Sequence, residues 1–428
     1  MSDQQHSNGN SLLGIQPPDL NMASRPCDLA SVSMHVDKIN KLAAAASPSD
    51  NGTRLELAEA ARRLVRALET PRETMIKHCW AQPSAMTAIT TGVDLGLFDA
   101  MVKDGGRSKT SVELASAVGA DHALIARFLR HLSAMGYVEE TDADEYAPTN
   151  FTRSLCIPII GAGYPLLSGG ILGSNIKFHE YIKKAGYEVP SNMLSGPFQY
   201  AYGTDKNLFE HLQANPPYGD LFNLHMAGYR QGRASWMDPE FFPVQEKLVD
   251  GADPSKEAVF LVDIGGSIGH DIAEFLTKHP SVPGRLILQD LPDVLQQIDT
   301  LDERIERMEH NFFTEQPIRG SRAYYMHSVL HDWPDEQCVQ ILTQLSKSME
   351  PGYSKLLINE NVIPLRHAYW EATALDILMM TGFSSRERTK HEWEDLIKAS
   401  GLRICKTWTV DDGVESLIEC ELDTKELS

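Results

Sequence analysis

The sequence FLVDIGGSIGHDIAEFL, residues 260–276, indicates the fold of the C-terminal half of the chain. It begins with a continuous apolar run rich in β-branched residues, which is typical of a strand buried on both faces. It ends with apolar residues at helical spacing. Between the two lie Gly265, Gly266 and Gly269, and glycine allows positive φ and close approach of a ligand to the backbone. The stretch predicts a strand, a ligand-binding turn and a helix of an α/β fold.

The spacing of the glycines indicates which ligand the turn binds. A dinucleotide fingerprint requires G-x-G-x-x-G, but counting from Gly265 places Ser267 and His270 at the second and third glycine positions. This order argues against a NAD-dependent dehydrogenase. The pattern Asp263-x-Gly265-x-Ser267-x-Gly269 resembles the acidic-x-Gly-x-Gly-x-Gly loop of S-adenosylmethionine (SAM) methyltransferases. An acid at the end of the strand suits a cofactor that carries an ammonium group.

A second apolar strand ends in Asp290, which Leu291 follows. In α/β nucleotide sites a carboxylate at about this spacing binds the ribose hydroxyls. Asp290 is therefore predicted to belong to the cofactor site.

Predicted strands alternate with helices from residue 259 onward. The strands are expected at 259–264, 286–289, 323–327, 355–360, 403–409 and 415–420, and the last two are expected to pair antiparallel at an edge. This order predicts an α/β domain over 246–428 with a mainly parallel, doubly wound, Rossmann-like sheet. The cofactor should lie at the carboxyl edge of the sheet.

The remainder of the chain is predicted to be mostly helical. Residues 1–52 are polar with little periodicity and are expected to form a disordered tail. Residues 53–155 are interpreted as a helical domain containing a winged helix over 110–149, and residues 156–245 as a helical linker that contributes to the substrate pocket. Between residues 78 and 150, ten Asp and Glu face five Lys and Arg. That acidic balance disfavours contact of the winged helix with DNA phosphates.

Composition limits the partners and the compartment. The net charge of −20 argues against nucleic acid or an anionic membrane as a partner. Neither a signal peptide nor a continuous apolar stretch long enough to span a bilayer is found, so a cytoplasmic protein is expected. The six cysteines are scattered, and neither cysteines nor carboxylates cluster at metal-ligand spacing, so no metal site is predicted.

A second group of residues with catalytic chemistry follows the third strand, in the sequence HDWPDE at 331–336. The Pro and the acids after it suit the start of a helix, but this explanation leaves His331 unused. His331 lies beyond the carboxyl end of a strand, where a base with a pKa near neutrality can act. Glu360 and Glu387 are expected at the same edge, where they would orient the imidazole and stabilise its charged form.

These motifs together resemble the plant and fungal SAM-dependent O-methyltransferases of the caffeic acid O-methyltransferase type. The resemblance covers roughly residues 80–421 and rests on LVDIGGSIG, QDLP, LHDWPDEQC, INENVIP and SRERT in the order and spacing of that family. It implies that the winged helix is a dimerisation domain, that the protein is a homodimer and that SAM is the cofactor.

The resemblance also implies roles for individual residues. The general base of the family falls on His331, its flanking carboxylates on Glu360 and Glu387, and Asp332 lies beside the base. The cofactor residues implied by the matching motifs are Asp263, Gly265, Gly266, Gly269, Asp290, Leu291, Asn311, Phe312 and His327. Two of them depart from the family pattern, since position 311 is commonly Asp and position 327 is often Lys or Arg.

The implied reaction is an in-line displacement in which His331 removes a proton from a phenolic or enolic hydroxyl while that oxygen attacks the methyl of SAM. The substrate would be an aromatic or polyketide-like small molecule, such as a secondary metabolite, and no metal is required. Two rivals stay open. One is a SAM-binding enzyme of this type that catalyses dehydration or pericyclic ring closure, and the other is a winged-helix regulator that senses SAM.

Overall fold

The computed structural model describes residues 19–47, 50–228, 232–410 and 414–423. The chain divides into two compact units, which meet in the sequence between Ala88 and Ile89. Among the described residues, no single helix is long and apolar enough to cross a membrane, although the bent pair Pro71–Asp94 and Leu97–Gly106 meets the length and composition test together.

The first unit is helical. Its α-helices are α1 (Val32–Ala45), α2 (Asn51–Leu68) and α3 (Pro71–Ile76), with short 3₁₀ segments at Leu20–Ser24 and Leu29–Ser31 and a π-helical turn at Lys77–Ala81. Asp50 caps α2 by accepting from the Thr53 N–H at 2.9 Å, and Thr70 and Glu73 form a capping box at α3. The helix α4 (Gln82–Asp94) continues into the second unit.

The expectation of a disordered tail over 1–52 is wrong for its described part. Residues 32–45 form α1, which packs on α2. Val32, His35, Ile39 and Leu42 are half-buried and recur at helical spacing. This narrow stripe was missed because the surrounding composition is polar. Residues 1–18, which the same expectation covered, lie outside the described residues.

A winged helix follows, as predicted. Its helices are α5 (Leu97–Gly106), α6 (Ser111–Val118) and α7 (His122–Ala134), and its three-stranded sheet is formed by β1 (Lys109–Thr110), β2 (Val138–Asp142) and β3 (Glu145–Pro148) in the order β1-β3-β2. Thr110 and Glu113 form the capping box of α6, and Gly119 ends it in the left-handed conformation at φ +67°. Both features were visible in the sequence as helix start and stop signals.

Short helices connect the winged helix to the sheet domain. They are α8 (Asn150–Ser154), α9 (Pro158–Gly161), α10 (Gly163–Pro165), α11 (Leu172–Lys184), α12 (Pro197–Tyr202), α13 (Leu208–Ala214) and α14 (Tyr218–Gly228), with π-helical turns at Leu166–Ile171 and Gln245–Val249. Phe198 and Leu208 belong to the core that these helices share with the later helix at 370–383.

A seven-stranded sheet organises the C-terminal domain. Its strands are β4 (Val259–Ile264), β5 (Arg285–Asp290), β6 (Ile305–Glu309), β7 (Ala323–His327), β8 (Lys355–Glu360), β11 (Leu402–Trp408) and β12 (Ser416–Leu422), in the order β11-β12-β8-β7-β4-β5-β6. Only β12 runs antiparallel to its neighbours β8 and β11. The strand order reverses between β4 and β7, and a cofactor is expected at such a switch point.

Helices cover both faces of the sheet, so the doubly wound prediction is confirmed. They are α15 (His270–Lys278), α16 (Pro292–Leu295), α17 (Asp335–Ser346), α18 (Trp370–Phe383) and α19 (Lys390–Ala399). One apolar layer contains Phe275 of α15 and Trp236, and the other contains Ile341 of α17 and Trp393 of α19. The sequence missed the edge strand β6 and the short parallel pair β9 (Val362–Ile363) and β10 (Arg388–Thr389).

Candidate active site

The glycine loop lies directly beyond β4, at the carboxyl edge of the sheet. Gly265 and Gly269 adopt positive φ of +68° and +86°. The N–H groups of Gly265 and Gly266 donate to the Gln289 carbonyl at 2.8 and 3.2 Å. A Cβ at Gly266 would lie 2.5 Å from Leu288 Cδ1 and 2.6 Å from Asp263 Cγ. Glycine is therefore required here both for conformation and for packing against β4 and β5.

Asp290 ends β5 beside this loop. Its Oδ2 accepts from the Ser267 N–H at 2.8 Å and its Oδ1 from the Leu291 N–H at 2.7 Å. Burial raises the pKa of Asp290, and the two N–H donors oppose that rise. Each carboxylate oxygen has a further lone pair for a ligand hydroxyl. The structure thus brings Asp290, Leu291 and the glycine loop together, as the sequence predicted.

Phe312 closes the other side of the loop. A Cβ at Gly265 would lie 3.6 Å from Phe312 Cε1, and the Phe312 ring packs edge-on against Trp333 at 5.9 Å. Asn311 is exposed, and its Oδ1 accepts from the Phe313 N–H at 3.1 Å. Asp263, at the end of β4, is 1% exposed. All the loop residues expected to bind cofactor therefore lie at one edge of the sheet.

The predicted catalytic residues meet in a buried cluster one strand away. His331 Nδ1 lies 2.7 Å from Glu387 Oε1 and 3.6 Å from Glu360 Oε2. His331 Nε2 lies 3.6 Å from Asp332 Oδ1. Glu360 and Glu387 are 0% and 4% exposed. We name these four residues the His331 cluster.

Backbone groups hold Glu360 in place. Its Oε1 accepts from the N–H groups of Val329 and Leu330 at 3.0 and 2.8 Å, and from the His331 N–H at 3.4 Å. Within the described residues, the Oε2 atoms of Glu360 and Glu387 have no hydrogen-bond donor. Glu360 Oε2 lies 3.6 Å from Nδ1, and the buried negative charge of the two carboxylates favours a positive charge on His331.

The pKa values in the cluster reflect this crowding of charge. Burial alone would lower the pKa of His331, but Glu360, Glu387 and Asp332 outweigh it and raise that pKa well above its usual value. Burial raises the pKa of Asp332 to about 7, against the opposing effect of His331. Burial also raises the pKa of Glu360. The cluster therefore stabilises the imidazolium that forms when His331 accepts a proton.

Two supporting residues were not predicted from the sequence. Arg388 is 1% exposed and donates to the carbonyls of Leu330 and Trp333, both at 2.9 Å, which fixes the turn on either side of the base. Asp376 of α18 accepts from the Glu387 N–H at 2.9 Å. The SRERT motif pointed to Arg388 because it follows Glu387, but nothing in the sequence marked Asp376.

His327 differs from the other predicted cofactor residues. Its Nδ1 lies 2.7 Å from Asp271 Oδ2 and its Nε2 lies 3.0 Å from Glu415 Oε2. Both ring nitrogens are thus engaged by carboxylates of the same chain. The expectation of a direct contact between His327 and the cofactor is not supported by this geometry, because no ring donor is left for a ligand.

The cluster also has the composition of a metal site. Ligand atoms of His331, Glu360 and Glu387 lie within 4.8 Å of one another, a proximity that the sequence spacing did not reveal. In this structure the Nδ1 atom faces Glu387 Oε1 at hydrogen-bonding distance, and Glu360 Oε1 accepts from backbone N–H groups. These contacts are those of a proton-binding arrangement.

A cavity of about 300 Å³ is lined by Asn361, which follows Glu360 in the chain, and by residues of α18. The same helix carries Asp376, which binds the Glu387 N–H. The cavity wall is mostly apolar, with two amides and an Arg233–Glu371 ion pair. The lining residues are Leu172, Asn175, Arg233, Asn361, Glu371, Ala372, Ala374, Leu375 and Leu378. Such a lining suits a flat, largely apolar molecule with polar substituents.

The residues at the sheet edge fit SAM. The glycine loop exposes backbone to a ligand, and Asp263 and Asp290 would hold the ammonium and ribose groups. Phe312 offers an aromatic face beside the loop. Asn311 is an amide at a position where the family commonly has Asp. It would therefore bind the adenine edge without a charge.

Known proteins resemble this chain over most of its length. Residues 191–403 match the O-methyltransferase domain, and residues 83–156 match the O-methyltransferase dimerisation domain. The chain is 36% identical over 375 residues to O-methyltransferase mfmE of Annulohypoxylon moriforme, covering 88% of this chain and 92% of the relative. It is 36% identical over 390 residues to O-methyltransferase mpaG of Penicillium brevicompactum, covering 90% and 98%.

Solved structures share the whole architecture. A pericyclic reaction enzyme and LepI in complex with SAM each superpose with a TM-score of 0.82 and 29% identity, covering 92% of this chain and 99% of theirs. OxaC in complex with sinefungin and meleagrin superposes with a TM-score of 0.82 and 26% identity, covering 92% and 100%. The chain therefore belongs to the O-methyltransferase family, which uses SAM as its cofactor.

Proposed function

We propose that this protein transfers a methyl group from SAM to a hydroxyl of an aromatic or enolic small molecule, with His331 as the general base. The observation that carries the proposal is the 2.7 Å contact between His331 Nδ1 and Glu387 Oε1. When Nδ1–H donates to Glu387, the neutral imidazole has its lone pair on Nε2. That nitrogen is then the proton acceptor.

The surrounding carboxylates prepare His331 for this step. When bound, SAM supplies the electrophilic methyl group. Nε2 takes the proton of the acceptor hydroxyl, and Glu387 and Glu360 stabilise the resulting imidazolium. Arg388 and the backbone donors to Glu360 hold the base in place, so the protein loses little entropy at the moment of reaction.

The acceptor would occupy the cavity lined by α11 and α18. Its volume of about 300 Å³ suits a molecule of one to a few fused rings. OxaC, a structural relative, has been solved with meleagrin and with oxaline. By analogy, and because the wall is mainly apolar, the acceptor proposed here is an aromatic or polyketide-like secondary metabolite.

The alternative function is ring closure or dehydration without methyl transfer. The likeness to a pericyclic reaction enzyme favours it. The intact His331 cluster favours methyl transfer, because a reaction that leaves the cofactor unchanged has no need for a base coupled to methyl departure.

The decisive experiment incubates the purified protein with methyl-labelled SAM and a panel of phenolic and enolic compounds. Transfer of label to the acceptor oxygen, together with stoichiometric S-adenosylhomocysteine (SAH), supports the proposal. A cyclised or dehydrated product with SAM unconsumed supports the alternative. A His331→Ala variant is the matched control, since background methylation without the base would survive in it.

We also propose that the protein works as a homodimer. The match of residues 83–156 to the dimerisation domain supports this. Within the first unit, Met75 and Trp80 are 48% and 64% exposed, large apolar surfaces that a second copy would cover. Light scattering at micromolar concentration should give twice the mass of 47.6 kDa, and a monomer would contradict the proposal.

A further inference from the structure

A second histidine cluster, only partly accessible to solvent, lies beside the cofactor loop. His327 ends β7, and 14% of its side chain is exposed. Its Nδ1 and Nε2 face Asp271 Oδ2 at 2.7 Å and Glu415 Oε2 at 3.0 Å. A neutral imidazole donates from only one nitrogen, so its other lone pair would face a carboxylate oxygen. The geometry is therefore that of an imidazolium donating to two carboxylates. We name these three residues the His327 cluster.

The charges around the His327 ring also favour the imidazolium form. Burial alone would lower the pKa of His327, but Glu415 and Asp271 raise it to about 10. Burial would raise the pKa of Glu415, but His327, Ser328 and Arg233 together lower it. The Tyr325 hydroxyl donates to Asp271 Oδ2 at 2.8 Å, and the Ser328 hydroxyl to Glu415 Oε1 at 3.0 Å. Each carboxylate therefore has a second donor besides the imidazolium.

The cluster connects three parts of the active site. Asp271 is in the first turn of α15, two residues after Gly269 of the glycine loop. His327 precedes the turn that carries the base His331. Glu415 precedes Ser416, which pairs with Glu360 in the sheet. A single buried cation thus joins the helix behind the cofactor loop, the turn to the base and the strand beside Glu360.

We propose that His327 is a positioning residue whose imidazolium fixes the cofactor loop, through Asp271, relative to the turn that carries His331. It acts without touching SAM, because both of its donors are used inside the protein. The proposal rests on SAM binding alone, so it stands whether the enzyme transfers the methyl group or closes a ring.

The test measures the affinity for SAH by calorimetry on the full-length protein, together with thermal unfolding. His327→Gln removes the charge and should raise the dissociation constant for SAH about tenfold, because the cofactor loop would no longer be held in its binding position. His327→Lys keeps a positive charge between the carboxylates and should remain within about threefold of the wild type. A purely structural role would lower the melting temperature without this pattern in affinity.

His279→Gln is the matched control. His279 follows the other end of α15, and its Nε2 lies 3.0 Å from the Met237 carbonyl. Its loss should lower stability and leave SAH affinity unchanged. If His279→Gln and His327→Gln weaken SAH binding equally, or if His327→Gln binds SAH as tightly as the wild type, the proposal is wrong.

Glu415→Gln distinguishes positioning from direct contact and serves where His327→Gln does not fold. It removes one carboxylate of the cluster but keeps a carbonyl oxygen that can accept from the imidazolium, while its NH2 group can donate to the Ser328 hydroxyl. Positioning predicts weaker SAH binding in this variant, in the same direction as His327→Gln and smaller. Unchanged binding in Glu415→Gln would mean that His327 does not act through its cluster, and the proposal would fall.

Discussion

Two buried histidines four positions apart have opposite arrangements. In the His327 cluster, both ring nitrogens face carboxylates at hydrogen-bonding distance. In the His331 cluster, Nδ1 is held at 2.7 Å while Nε2 has its nearest carboxylate partner, Asp332, at 3.6 Å. Carboxylates raise the pKa of both histidines. A raised pKa therefore does not by itself identify a general base. A histidine can act as a base only when one ring nitrogen is available to the substrate.

The largest expected effect comes from removing the available nitrogen. His331→Ala should lower turnover by about 10²- to 10⁴-fold, the usual contribution of positioned acid–base catalysis. SAH affinity should change little, because His331 belongs to the other cluster and not to the glycine loop. Steady-state kinetics with calorimetry measure both. Wild-type turnover in this variant would remove His331 from the mechanism.

Glu387→Gln should have the next largest effect. The amide cannot stabilise an imidazolium, so turnover should fall about 10²-fold. The pKa of His331 should also fall, because a carboxylate that raises it is gone. Turnover of the wild type should increase with pH as His331 loses its proton, and in the variant this rise should occur at lower pH. If turnover rises at the same pH in the variant and in the wild type, Glu387 does not affect the pKa of the base.

Asp290→Ala affects binding and leaves both histidine clusters intact. A carboxylate to ribose hydroxyls contributes roughly 1.5–3 kcal/mol, so the dissociation constant for SAM should rise about ten- to a hundredfold. Asp290 also accepts from two backbone N–H groups, so its loss could disturb the glycine loop. Circular dichroism should therefore verify that the variant still folds. Unchanged affinity would place the ribose elsewhere.

The two clusters also differ in how far the sequence predicts them. His331 follows β7 and Glu360 ends β8 at the carboxyl edge, and parallel strands bring such positions together, whereas Glu387 was indicated by the SRERT motif. The partners of His327 lie 56 and 88 positions away, in the first turn of a helix and in a loop. No periodicity connects them, because their proximity depends on how side chains pack across three elements.

Burial also explains why most strands were predicted and β6 was missed. The run at 259–264 is apolar on both faces, and the sequence predicted its bounds. The edge strand β6 has the sequence Ile-Glu-Arg-Met-Glu, with only Ile305 buried. An edge strand needs one apolar face at most. The charged residues of β6 therefore give no strand pattern, and the sequence did not predict it. The cavity walls at α11 and α18 were indicated only as broad ranges, since pocket shape depends on helix packing.

A smaller effect should appear in stability against pH. The pKa of His327 is raised from 6.5 to about 10 by folding, so its ion pairs stabilise the fold fully below pH 6.5 and progressively less as pH rises to about 10. The stability difference between wild type and His327→Gln should therefore be largest at or below pH 6.5 and shrink toward pH 10. Denaturant unfolding at several pH values measures it. A difference that grows with pH would mean that His327 is neutral in the folded protein.

The smallest expected effect is that of a chelator. His331, Glu360 and Glu387 could hold a cation by proximity, but a metal bound at Nδ1 would replace its 2.7 Å contact with Glu387 and leave the imidazole proton on Nε2, the atom proposed as the proton acceptor. Turnover should therefore be unchanged in excess EDTA, and added Zn²⁺, which favours imidazole and carboxylate ligands, should inhibit. The control is His331→Ala, whose residual activity should resist Zn²⁺ at concentrations that inhibit the wild type. If EDTA abolishes turnover and Mg²⁺ or Zn²⁺ restores it, the His331 cluster is a metal centre and not a proton acceptor. The two histidine clusters would then differ in metal binding and not in the availability of a ring nitrogen.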